Sequence, residues 1–136
     1  MELQNLSYAA IQVVHNFGAV AVVGSAACAL WLEQQFNGMR KLAWLMLAGW
    51  AVQAVSGGAF GFVSWLYYGR FPDIHGIAVA ALLIKMACAA VGFMLAATYI
   101  YRGAGWSQRA WQATWRVLAA LAATALTAAA VLRWFS

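Results

Sequence analysis

The chain is short of charge, of proline, and of cysteine or methionine in any metal-binding spacing. Of its 136 residues, three are Asp or Glu and eight are Lys or Arg, so charged residues make up 8%. Soluble domains carry about 25%. With 66% of residues hydrophobic, a water-soluble fold would lack the polar surface to cover itself, which leaves lipid as the solvent. The acids are Glu2, Glu33 and Asp73, none inside a long apolar run. Their absence from the spans argues against a cation pump built on an acidic relay. Cys28 and Cys88 lie deep in apolar runs with no CxxC and no zinc spacing, and read as small buried hydrophobes instead of a disulfide or redox pair. Met39, Met46, Met86 and Met94 show no MxxxM spacing and read as core or lipid-facing filler. The N-terminus, MELQNLS, has no Lys or Arg, so the first apolar run lacks the positive start of a signal peptide and reads as a retained helix. The net charge of +5 does not point to nucleic acid, because the cations are scattered at segment ends.

What is present is length and apolarity. Four segments, about 8–32, 42–66, 74–101 and 110–133, each reach the roughly 20 residues needed to cross a bilayer. Their continuous apolar character predicts helices, since a barrel strand would alternate polar and apolar. Asn37-Gly38 signals a turn in the first link. Pro72 and Asp73 are placed to open the third helix, with Asp73 complementing its dipole. Gly103 and Gly105 suit the end of that helix, and Ser107 is a candidate N-cap for the fourth. Short links predict sequential antiparallel neighbours. The expected fold is therefore all-α, a single transmembrane domain over 1–136 in an up-down-up-down four-helix bundle.

Orientation follows from the cations. Arg40 and Lys41 in the first link, and Arg102, Arg109 and Arg116 around the third, predict that this side is cytoplasmic. Both termini and the link around Arg70 and Asp73 then lie outside, in the periplasm of a bacterial inner membrane; Arg133 is the one contrary signal. Trp31, Trp44, Trp65, Tyr67, Tyr68, Trp106, Trp111 and Trp134 fall near segment ends, as an aromatic belt should.

Few residues could carry chemistry. His15 and His75 are the two histidines, and Lys85 sits in the third apolar run. A Lys in hydrocarbon costs about 3 kcal/mol on insertion scales, so it calls for a snorkelling path, an anionic partner or a proton-transfer role. On the second segment Gly49, Gln53, Gly57 and Gly61 recur every four residues. That stripe reads as a helix–helix contact, or as a flat wall for a planar cofactor, with Gln53 turned inward. If the first and third helices run the same way, His15 and His75 both fall in the outer half. Two imidazoles from different helices could then hold a haem iron, although an axial offset of about 10 Å separates the two positions.

The pattern of VVHNFGAVAVVG, AVQAVSGGAFGF, YYGR and ALLIKMACAAVGF resembles the CopD membrane domain of copper-resistance proteins. More distantly it resembles the HemJ-type protoporphyrinogen oxidases, small four-helix membrane proteins. The likeness covers about residues 8–102. It implies that His15 and Lys85 occupy the families' polar positions and Gly57 the glycine of the second helix. HemJ-type proteins are associated with haem b and CopD proteins with copper uptake. CopD proteins are usually longer, and His75 has no assigned counterpart in either family.

The expectation is a membrane protein binding one haem b in its outer half. His15 and His75 are the candidate metal ligands, and Lys85, Gln53 and Gly57 the candidate cofactor wall. It would serve electron transfer or haem-linked redox chemistry with a membrane or periplasmic partner. The rival readings are a CopD-like copper transport component and a cofactor-free structural subunit of a membrane complex or homo-oligomer.

Overall fold

A computed structural model describes residues 2–32 and 35–135. It contains four long helices, α1 (Glu2–Trp31), α2 (Phe36–Tyr68), α3 (Ile77–Arg102) and α4 (Gln108–Phe135), with a single 3-10 turn at Gly103–Gly105 between the last two. All four are long and apolar enough to cross a membrane. In space α1 packs on α2, α2 on α3, α3 on α4, and α4 closes against α1. Phe36 at the start of α2 meets Tyr99 of α3 and Trp111 of α4, and this end is called inner below. Gln4 of α1 donates to the Tyr68 hydroxyl at the end of α2, and this end is called outer.

The helix ends show how local chemistry overrides the apolar pattern. α1 begins at Glu2, well before Tyr8, because the intervening residues include no glycine or proline to stop it. α2 begins at Phe36, so Asn37 and Gly38 lie inside its first turn instead of forming a separate turn. It ends at Gly69, whose left-handed φ of 66° lets its N–H reach the Trp65 carbonyl at 2.8 Å. α3 starts three residues later than the apolar run, at Ile77. Gly76 has φ 54°, outside the helical region, so Pro72 and Asp73 fall in the link and do not open the helix. Ser107 does cap α4, its Oγ accepting from the Ala110 N–H at 3.2 Å.

The side chains that fill the interior are unevenly distributed. At the inner end Trp115, Tyr99, Met46 and Leu118 are fully buried. Tyr99 lies edge-on to Trp115 and Trp106, and Phe36 tilts against Tyr99 and Trp111. Gly92 allows the Trp50 ring to lie against α3, where a Cβ would come within 2.7 Å of the indole. Between α1 and α2 the backbones meet at Gly18 and Gly49. A Cβ on Gly49 would meet a Val22 methyl at 2.8 Å and the Gly18 carbonyl at 3.0 Å.

The expected four-residue stripe on α2 divides along its length. Gly49 and Gln53 are buried, but Gly57 is exposed with nothing within 4 Å of its Cβ position, and Gly61 meets only Phe71. Each step of four residues advances about 40° around a helix of 3.6 residues per turn, so a straight stripe walks off the contact face. Ser56, three residues beyond Gln53, holds the inward position that Gly57 leaves, and is 4% exposed.

Candidate functional site

His15 lies near the middle of α1, one turn from the Gly18–Gly49 contact. That closeness brings α2 side chains against it. Gln53 donates from its Nε2 to the His15 main-chain carbonyl, tying the two helices together. Ser56 Oγ lies 2.6 Å from His15 Nδ1, and Ser56 also bonds back to the Val52 carbonyl one turn earlier. Phe60 meets the imidazole edge-on, with ring centroids 5.8 Å apart, and stacks on Tyr8.

Lys85 comes from α3, the helix diagonally opposite α1 in the ring of four. Its Nζ sits 2.8 Å from His15 Nε2. The pair therefore joins across the bundle two helices that otherwise pack mainly on their neighbours. Both side chains are half-buried.

One arrangement of protons satisfies every contact. The Val52 carbonyl can only accept, so it takes the Ser56 hydroxyl proton. Ser56 Oγ is then the acceptor for His15 Nδ1–H. The imidazole lone pair is left on Nε2, where it accepts from the Lys85 ammonium, which has donors only. The chain of donors runs Lys85, His15, Ser56, Val52. It fixes both the ring orientation and the tautomer of the one histidine inside the helices.

Of the residues singled out from sequence, the fold brings together His15, Lys85 and Gln53. Gly57 lies on the outer surface of α2. His75 sits in the link before α3, 81% exposed, with its Nε2 3.2 Å from the Asp73 carboxylate. It is not brought to His15. No group of three or more His, Cys, Asp or Glu is found together among the described residues. The member that sequence reading missed is Ser56. Its signal was its position three residues after Gln53, which places both on one helix face. The partner of Lys85 is also a finding: the Lys lacks an acid but not an acceptor.

Comparison with known proteins returned no matching family model, no matching curated protein and no matching solved structure.

Proposed function

We propose that the chain is a multi-pass protein of the bacterial inner membrane. In this reading it is an up-down-up-down bundle with both termini and the 69–76 link in the periplasm. It holds one b-type haem in its outer half through His15, and serves electron transfer or haem-linked redox chemistry with a membrane or periplasmic partner. The observation that carries this reading is the fixed tautomer of His15. A histidine that binds metal generally donates its other ring N–H to a fixed acceptor. Ser56, itself tied to Val52, is such an acceptor, and it puts the lone pair on Nε2, where the Lys85 ammonium donates and where an iron would have to take that contact's place.

The haem would supply reversible one-electron chemistry at iron, and a single His is a sufficient protein ligand for many haems. The protein's own contribution is position. Gln53 and the Gly18–Gly49 contact hold the helix turn that bears His15. Lys85, 2.8 Å from His15 Nε2, suits a haem propionate. The resemblance to HemJ-type proteins rests on these same two positions. A copper centre would call for sulfur donors beside His15. Met39 and Met46 lie in the inner core, and Met86 and Met94 are more than half exposed on α3.

The test is a visible spectrum of the purified protein. Haem b should give a Soret band, with α and β bands after dithionite. His15→Ala should abolish it, and His75→Ala should leave it intact. A colourless wild-type protein, or a His15→Ala variant with full haem, would refute the reading. A colourless protein whose deletion alters copper tolerance would favour the copper alternative.

A further inference from the structure

A second polar site lies at the inner end, away from His15. A cavity of about 270 Å³ opens between the carboxyl end of α1 and the first turns of α4. Its floor is Ala29 and Met39, its outer wall Trp31, and its polar wall Gln108, Gln112 and Arg116. These last three are exposed and stand at four-residue spacing, so one face of α4 carries a ladder of hydrogen-bond donors along the cavity. Among the described residues none of the three makes a side-chain hydrogen bond or ion pair.

Arg116 is two turns into an apolar helix, about 12 Å along its axis from Gln108. A guanidinium at that depth is costly unless an anion or a polar path meets it. Of the three acids, Glu2 and Asp73 belong to the outer end and Glu33 lies outside the described residues. Exposed Arg40, Lys41, Arg102 and Arg109 add four cations at the same end among the described residues. Trp31, 82% exposed at the rim, has the amphipathic ring that settles at headgroup level.

We infer that this cavity is a binding site for the phosphate group of an anionic phospholipid, with Arg116 as its two-pronged ligand and Gln112 and Gln108 as neutral donors beside it. Basic pockets between membrane helices on the cytoplasmic side are suited to such headgroups. Arg fits a phosphate through two parallel N–H donors, and the apolar floor suits the glycerol and the start of the acyl chains. The inference rests on the membrane orientation proposed above but not on the haem, and its readout is independent of any spectrum.

The experiment is lipid retention by native mass spectrometry on the full chain in detergent, with phosphatidylglycerol, phosphatidylcholine or inorganic phosphate added. Wild type should retain phosphatidylglycerol and shed phosphatidylcholine. Arg116→Gln should weaken retention about tenfold, the equivalent of one charge-assisted hydrogen-bonding contact. Arg116→Lys, which keeps the charge and loses the fork, should fall between the two. Arg109→Gln should retain lipid as wild type does. Four results would overturn the inference. One is failure of the wild type to retain phosphatidylglycerol. A second is equal loss in Arg109→Gln, which would mean diffuse attraction. A third is displacement of the lipid by inorganic phosphate. The last is an Arg116→Gln variant with lowered thermal stability and unchanged retention, which would make Arg116 a complement to the carboxyl end of α1 only.

Discussion

The inner and outer halves of this bundle are packed on different principles. The inner half interlocks large side chains from α2, α3 and α4, with Met39, Met46, Trp50, Tyr99, Trp115 and Leu118 buried together over the smaller Val22, Ala26 and Ala29 of α1. In the outer half the buried residues on α3 and α4 are small, Ala78, Ala81 and Cys88 on the one and Ala122, Ala125 and Ala128 on the other. A groove of about 440 Å³ between those helices is walled by Ile77, Ala80, Ile84, Thr124 and Thr127. Its two threonines turn their hydroxyls back to their own helix carbonyls, so the wall is apolar. In lipid there is little hydrophobic drive between helices, and close packing does most of the work. The aromatic half is thus the part that holds the molecule together. The small-residue half is lightly filled, and His15 and Lys85 stand where one gives way to the other.

Substitutions can break or sharpen this contrast. The largest effect is expected from Trp115→Ala, which opens a cavity in the inner core and should cost about 3–5 kcal/mol in reversible unfolding in detergent. Loss below 1 kcal/mol would show that the inner half is not the clamp. Gly49→Val drives a branched side chain into Val22 and the Gly18 carbonyl. It should cost about 1–3 kcal/mol and also disturb the His15 site one turn away, seen as loss of the haem proposed to bind there. Ser56→Ala removes the acceptor for His15 Nδ1–H. Its expected cost in stability is only about 1 kcal/mol, but losing the acceptor behind a metal-binding imidazole typically lowers metal affinity about 10–100-fold, measurable by haem titration. The smallest effect belongs to Gly57→Ala, which faces open space and should alter stability by less than about 0.5 kcal/mol with haem content unchanged. A large effect there would return Gly57 to the cofactor wall.

The four helices were legible because apolar length alone calls for them in lipid. Their ends were less so: the backbone angle at Gly76 moved the start of α3, and nothing in the hydropathy of Asp73 to Gly76 announces that angle. His15, Gln53 and Lys85 stood out as polar residues in apolar runs, and the fold gathers all three. What the sequence could not disclose was the rotation of each helix about its axis. For α1 and α2 that phase goes with the contact of Gly18 with Gly49, where Ser56 faces inward and Gly57 does not, and for α3 with the contact of Gly92 on the Trp50 ring. In that arrangement Lys85 meets the His15 imidazole. His75 illustrates the reverse case. Its residue type suited a ligand, but the left-handed turn after it leaves it in the link beside Asp73.

The placement of the His15 network bears on the order of assembly. His15, Gln53 and Ser56 all belong to the first two helices, whereas Lys85 comes from the third. Domains form from the N-terminus during synthesis, and the α1–α2 hairpin carries its own close contact at Gly18 and Gly49. The imidazole can therefore be oriented while α3 is still on the ribosome. Its inward nitrogen stays uncovered until Lys85 arrives, a short interval in which that lone pair is open to whatever ligand is present.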